Sequence, residues 1–446
     1  MGGRPDLLAG FDPEALGEAM HELARRLYPI PRSITGDGVR ETLAILRETV
    51  ALEVREVPSG TPVLDWTVPR EWNVREAWIR DPAGRKVVDF AEHTLHLVGY
   101  SVPVHRRMGL AELREHLFTL PDQPERIPYR TSYYNETWGF CLPHRLLESL
   151  PDEGEYEVRI DATLEDGSLT YGELVIPGTT DREVLLSCHV CHPSLANDNL
   201  SGTAVTSFLA RRLLEVAREG PLRHTFRFLW IPGTIGAITW LAGNREAAGR
   251  VAHGLVTANL GDPGCFHYKR SRRGDAEVDR AVEHVLRASG EEHRIEDFVP
   301  YGYDERQYCS PGFDLPVGSL TRTPWGRYPE YHTSGDDLSL IRPGSLAGSL
   351  ETYLRVMATL EGNRTCRNLN PHGEPQLGRR GLYATIGGAA HGDAERRERQ
   401  LALLWVLNLS DGDHSLLDVA ERAGMPFPRI RWAADALLGA DLLEEV

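Results

Sequence analysis

One stretch constrains this chain more than any other: Ser187-Cys-His-Val-Cys-His-Pro-Ser-Leu-Ala-Asn-Asp-Asn-Leu-Ser-Gly202. An apolar run, Glu183-Val-Leu-Leu-Ser, feeds into it as a buried strand, and a helical pattern leaves it from Thr203 to about Ala217. Two imidazoles, two thiols and a carboxylate thus share one turn at a strand end, where open α/β sheets carry their chemistry. The pattern predicts one half of a metal site inside an α/β domain.

A chain of 446 residues exceeds one ordinary core, so two or three domains are expected. Its hydrophobic and charged fractions, 41% and 26%, are those of a soluble globular protein. No apolar run approaches the roughly 20 residues of a membrane span. The opening Met-Gly-Gly-Arg-Pro-Asp lacks the apolar core of a secretory signal, so a cytoplasmic protein with no membrane partner is expected. A net charge of −16 argues against nucleic acid as a partner, because phosphate contact needs a basic face. Cys141, Cys188, Cys191, Cys265, Cys309 and Cys366 make no disulfide framework in so long a chain. No second CxxC follows Cys188 and Cys191 at zinc-finger spacing, which leaves Cys191 as part of the site wall.

Residues 12 to 28 read as a helix, with Asp12 as N-cap, Pro13 in the first position and an apolar stripe from Ala15 to Leu27. A Pro/Gly-bounded loop follows. Its Arg32, Ser33 and Thr35 suit either an anionic group or a capping turn. A second helix runs through Glu48. From 57 to about 150 short β-like runs are broken by prolines, with turn signals every 8 to 12 residues. Tyr156 to Leu164 and Leu169 to Ile176 alternate as the strands of a hairpin. Buried-strand runs at 184–187, 226–231 and 255–260 then alternate with helical stretches at 203–217 and 234–248, which implies a mostly parallel sheet covered by helices. The last segment carries three short helical patterns. Its eight acids against Arg422, Arg429 and Arg431 would repel phosphates, so a packing or dimer-contact role, in a homo-oligomer, is expected. The chain divides accordingly into 12–56 and 151–366 as the main α/β domain, 57–150 as an inserted β-rich domain, 367–399 as a linker and 400–446 as a small helical, winged-helix-like module.

The other half of the metal site is sought at later strand ends. Candidates are Trp230-Ile-Pro-Gly-Thr-Ile-Gly236, Asn259-Leu-Gly-Asp262 and Tyr328-Pro-Glu-Tyr-His-Thr-Ser-Gly-Asp-Asp337. Zinc takes nitrogen, oxygen or sulfur donors, which His189, Asp198, Asp262 and His332 could supply from separate loops.

The order His-x-x, Asp-Asn-x-Ser-Gly, a turn ending Ile-Gly, an isolated Gly-Asp and a late His resembles the zinc-dependent aminopeptidase superfamily that also contains the glutaminyl cyclases. More closely, the chain resembles the bacterial aminopeptidase-like family with a nested β-rich insert and a C-terminal winged-helix module. Tyr28-Pro-Ile-Pro-Arg-Ser-Ile-Thr-Gly, Cys188-His-Val-Cys-His-Pro-Ser, Asp304-Glu-Arg-Gln-Tyr and Tyr331-His-Thr-Ser carry this likeness, which spans roughly residues 15 to 440. It implies a zinc-aminopeptidase-like sheet with His189 as first ligand, Asp198 as bridging carboxylate, Asp262 as a further carboxylate ligand and His332 as last imidazole. His192 would replace one imidazole or line the pocket.

Two departures bear on activity. The wider superfamily uses an adjacent Glu-Glu pair as general base and second-metal ligand, and the closer family keeps Glu-Thr. Here the pair is Gly233-Thr234, so one zinc ion is expected rather than two. Cys191 stands where the Asp of His-x-Asp would orient the site. General-base help is worth about 10²–10⁴-fold, so hydrolysis needs a substitute. Glu305 and Glu330 are the catalytic candidates, and Asp336 or Asp337 could also reach the metal. Arg306, Arg322, His192 and Tyr331 are the substrate-binding candidates, the arginines by bidentate hold on a carboxylate; Asp304 to Gln307 could equally be a salt-bridged turn. The expected function is a zinc-dependent aminopeptidase-like enzyme acting on an amide, peptide or amino-acid-derived small molecule. The alternatives are a non-hydrolytic transferase or cyclase in a biosynthetic pathway and a catalytically silent metal- or ligand-binding descendant.

Overall fold

The computed structural model describes residues 6–383 and 394–446. Part of the predicted linker, 384–393, lies outside them. Two compact units are present: the first runs to Ala276 and resumes over Arg294–Glu351, and the second comprises Glu277–His293 and Thr352–Val446.

The first unit is built on an eight-stranded sheet. Its order across the sheet is Glu53–Pro58, Ser168–Ile176, Thr225–Ile231, Glu183–His189, Val251–Thr257, Val317–Thr321, Phe266–Lys269 and His293–Glu296. The middle four strands pair in parallel. Antiparallel pairing sets in toward both edges. The parallel strands are the apolar runs of the sequence: Glu183–His189 is buried at every position, as strands covered on both faces must be. Helix Gly202–Glu219 packs over strands Glu183–His189 and Val251–Thr257 and against helix Pro13–Leu27. The latter begins as read, with the Asp12 carboxylate accepting the N–H groups of Glu14 and Ala15. The 234–248 stretch is two helices, Ile235–Gly243 and Arg245–Arg250, parted at Asn244.

A buried charged rung crosses the sheet. Arg227 donates to Glu183 on one neighbouring strand, at 2.6 and 3.0 Å, and to Glu173 on the other. All three side chains are under 10% exposed, so each needs the others to offset desolvation.

A four-stranded antiparallel sheet, ordered Lys86–Asp89, Glu71–Arg80, Glu155–Glu165, Val104–Gly109, forms a second layer of structure in this unit. The expected hairpin of Tyr156–Leu164 with Leu169–Ile176 does not form. The first strand pairs with Glu71–Arg80 and Val104–Gly109, and the second with Glu53–Pro58 and Thr225–Ile231. The alternation read at 156–164 is real, since Tyr156, Val158, Ile160 and Ala162 are all buried. Alternation fixes which face is inward; the partner is chosen by distant apolar strands. Gly167 makes the sharp passage between them, where a Cβ would lie 2.4 Å from the Glu71 carboxylate.

The second unit contains a three-stranded sheet with Thr365–Asn368 between Asp411–Ser415 and Leu443–Glu445, together with helices Ala394–Leu409, Leu416–Ala423 and Phe427–Leu438. Ser415 and Asp418 form a reciprocal capping box at the start of the middle helix. Among the described residues no helix is long and apolar enough to cross a membrane.

Candidate metal centre

The carboxyl ends of the parallel strands deliver the chemistry. His189 is the last residue of strand Glu183–His189, and the chain then turns through Ala196–Ser201 into helix Gly202–Glu219. In that turn Asp198 reaches back. Its Oδ1 lies 2.8 Å from His189 Nε2 and its Oδ2 lies 2.9 Å from His332 Nε2. His192 Nε2 stands 4.0 Å from the same Oδ2. Among the described residues, donor atoms of His189, His192 and Asp198 all fall within 4.8 Å of one another.

A second carboxylate holds this turn. Asp336 accepts the N–H groups of Asn197 at 2.6 Å and Asp198 at 3.0 Å, and its carbonyl accepts that of Ala196 at 2.8 Å. Tyr328 OH donates to Asp336 at 3.3 Å and accepts from Asn259, whose side-chain carbonyl accepts from Tyr303 OH. Four aromatic rings wall the imidazoles. Tyr303 stacks on His189, Tyr331 stacks on His332 at 3.9 Å between centroids, and Tyr129 meets His192 and His332 at 5.1 and 5.0 Å; Tyr328 closes against Tyr331. His332 itself adopts a φ of 54°, a left-handed conformation that non-glycine residues rarely take. The stacked Tyr331 ring and the bond from Tyr129 N–H to the His332 carbonyl hold it there.

Burial sets the charges. It works against ionisation of Asp198, yet His192, His189 and His332 outweigh it and hold this carboxyl well below its usual range. His189 is pushed down by burial but raised on balance by its bond to Asp198 and by the charges of Asp198, Asp304 and Glu305. His192, without a hydrogen-bonded acid, is driven by burial to about 3 and is neutral. Burial lifts Asp336 to about 8 and Asp304 to about 7, with Asp198 and Glu305 adding to the respective rises. The thiols of Cys188 and Cys191 are pushed up to about 11 and about 12, so neither offers a thiolate, and Cys191 Sγ leans on Gly233 O as part of the wall.

The other expected residues lie around this group rather than in it. Asp262 is buried and already engaged: it accepts from Asn197 Nδ2, Gly264 N–H, and the Thr323 hydroxyl and N–H. Glu305 is fully buried and ion-paired with Lys269. Glu330 pairs with Arg126 at 3.0 Å. Arg322 is tied to Ser349 Oγ and Gly264 O and lies over the Phe266 ring. Arg306 lies over the Tyr301 ring. Tyr331 flanks His332 directly. The sequence reading missed Tyr129, Tyr303 and Asp304. Tyr303 and Asp304 sit in the polar cluster that drew attention to Glu305, whereas Tyr129 has no local signal and comes from a different part of the chain.

The donor set fits a divalent cation. Three neutral-capable imidazoles converge on an ionised carboxylate, a chemistry that suits zinc, and Asp304 adds a buried carboxylate whose two oxygens accept no hydrogen bond among the described residues.

A family model described as a domain of unknown function, DUF4910, matches residues 21–363. The chain belongs to the DUF4910 family. A winged helix-turn-helix model matches residues 364–445, so this DUF4910 protein carries that module at its C-terminal end. It is 50% identical, over 96% of its length and 97% of the other's, to a Clostridium acetobutylicum protein provisionally named for polysaccharide biosynthesis with an aminopeptidase-like domain. A crystal structure of a provisionally named peptidase from Clostridium acetobutylicum is similar at 48% identity and a TM-score of 0.91, covering 97% of both chains. A zinc aminopeptidase from Bacillus subtilis aligns at 12% identity and a TM-score of 0.57, over 80% of this chain and 96% of that one, and shows the shared fold alone. The DUF4910 protein therefore has an aminopeptidase-like α/β fold with a winged-helix module.

Proposed function

We propose that this DUF4910 protein is a zinc-dependent enzyme of aminopeptidase-like type, acting on an amide or amino-acid-derived group of a small substrate. The observation that carries the reading is Asp198, nearly sealed from solvent and clasped by His189 and His332, with His192 at its edge. His189, Asp198 and His332 would hold one ion, with His192 as a further donor or pocket wall. Asp262 would serve the site through Asn197, which neighbours Asp198. When bound, zinc supplies Lewis-acid polarisation of a carbonyl oxygen. The protein's own groups do the rest: Tyr129, Tyr303 and Tyr331 pack against the imidazoles and fix their orientation, and Asp336 holds the turn that presents Asp198.

A second reading, transfer rather than hydrolysis, draws support from Gly233, which brings no side-chain carboxylate to the strand end. The Clostridium relative's provisional assignment to polysaccharide biosynthesis is consistent with a biosynthetic role for this chain as well. The winged-helix module, with its acidic surface, would serve protein packing rather than nucleic acid.

Zinc titration of chelator-stripped protein tests the metal reading. One zinc per chain is expected for the parent and none for Asp198→Asn; a parent that takes up no zinc overturns it. The zinc-loaded parent is then offered aminoacyl p-nitroanilides. Turnover supports hydrolysis, and zinc binding without turnover leaves transfer.

A further inference from the structure

Arg32, in the loop over residues 28–36, is a buried cation that the proposed metal centre does not employ. It is 2% exposed and among the described residues makes no ion pair. Its Nε donates to the His192 carbonyl at 2.9 Å, and its Nη1 donates to the Leu27 carbonyl at 2.6 Å and the Thr42 hydroxyl at 3.4 Å. Nη2 has no hydrogen-bond partner. Burial pulls the guanidinium down to about 10, with Cys191 and the exposed Glu41 acting against the fall, so it keeps its charge at neutral pH. A buried charge without an ionic partner is costly, and such a group normally faces a counter-ion that completes it.

A cavity stands where that counter-ion would sit. Arg32 and Ser33 line it together with Trp72, Phe90, Tyr129 and Pro193, and no acid is among its lining residues. It adjoins the metal centre: Pro193 follows His192 directly, and the Tyr129 ring lies 5.1 and 5.0 Å from the rings of His192 and His332. The hydroxyl of Thr35, in the same loop, is engaged with Tyr100 OH and Trp72 N–H, which leaves Arg32 and Ser33 as the loop's polar contribution to the cavity. The cavity is narrow, about 10 Å³, on the scale of one water-sized group. That suits an oxygen of a flat carboxylate better than a tetrahedral phosphate. A water there would bond Nη2 but leave the charge uncompensated, whereas a carboxylate oxygen does both.

We propose that Arg32 and Ser33 form a carboxylate-binding subsite beside the metal centre, with Nη2 and the Ser33 hydroxyl donating to a carboxylate of the substrate. The carboxylate is anchored under the His192–Pro193 turn while the reacting amide meets the imidazoles. In naming a substrate this inference rests on the proposed function above; binding of the carboxylate itself requires no metal.

The test is calorimetric titration of chelator-stripped full-length protein with acetate, at constant ionic strength in chloride, and with inorganic phosphate in parallel. Saturable binding of acetate is expected. Arg32→Gln should weaken it about tenfold or more, the consequence of losing charge-assisted hydrogen bonds. Ser33→Ala, which keeps every bond that Arg32 makes to the chain, should weaken it about three- to tenfold and covers the case in which Arg32→Gln does not fold. Circular dichroism confirms the fold of each variant. Acetate that shows no saturable binding to the parent overturns the inference, as does binding that Ser33→Ala leaves unchanged. Phosphate bound more tightly than acetate overturns the assignment to a carboxylate. A parent that takes up no zinc overturns the metal reading, and the acetate titration then decides the subsite by itself.

Discussion

In metal-free protein, Asp304→Asn should raise stability at pH 8 and change it little at pH 4. Burial, reinforced by Glu305, lifts the Asp304 carboxyl from 3.8 to about 7. An acid whose folded value is raised stabilises the fold fully below its unfolded value, and that contribution is lost as pH climbs through the folded value. Between about pH 4 and pH 7 the parent therefore loses stability that the asparagine variant keeps. At about 1.4 kcal/mol per tenfold step the ceiling is about 4 kcal/mol. The realised gain is smaller, because the charge of Asp304 also favours protonated His189. Asp336, raised by burial to about 8, tilts both proteins alike and cancels in the comparison. Thermal melts of both proteins with chelator, at pH 4 and pH 8, make the measurement, and a gain of several degrees at the higher pH is expected. Equal melting temperatures at pH 8, or the same difference at both pH values, would refute the claim that Asp304 is a buried, uncompensated carboxylate.

Further expectations concern the frame that presents the site. Arg227→Met leaves Glu173 with the half-exposed Arg55 at 3.4 Å and the Trp240 N–H, and Glu183 with Arg250, so it should cost about 3 kcal/mol by denaturant unfolding; a loss under 1 kcal/mol would contradict the rung's role. Gly178→Ala drives a Cβ to 2.2 Å from the His224 carbonyl oxygen, so lower soluble yield or a lower melting temperature is expected, and an unchanged melt would count against the packing there. Ser415→Ala removes one arm of the capping box and should cost about 1 kcal/mol in the C-terminal unit, read by hydrogen exchange in Leu416–Ala423. Neutral His192 should show no ring protonation by NMR between pH 5 and 8 in metal-free protein, since burial holds it near 3; a titration near 6.5 would mean an open site.

Much of this molecule is legible in local pattern. Apolar runs ending in polar turns announced the parallel strands, and Asp12-Pro13 announced the first helix, because strand burial and helix capping act on neighbouring residues. The donors His189 and Asp198 share one turn and so stand out together. The failures are non-local. Tyr156–Leu164 looked like half of a hairpin because its alternation is local, whereas its partner, Glu71–Arg80, lies some eighty residues earlier. The hydrogen bonds that Asp262 accepts from Thr323, Gly264 and Asn197 come from three places in the chain, so no local pattern announces them.

Sequence by itself determined the α/β class, the strand ends that carry the chemistry, and the residue types that suit a metal. Tertiary structure alone decided which partners each carboxylate has. Glu305, Glu330 and Asp262 are each neutralised or hydrogen-bonded by residues distant in sequence, while Asp304 is left unpartnered beside His189. The physical reason is that a carboxylate's character depends on what surrounds it within a few ångströms. Those neighbours are fixed by the packing of separate strands and loops, as when the absent side chain of Gly233 leaves room for a carboxylate seventy residues further along the chain.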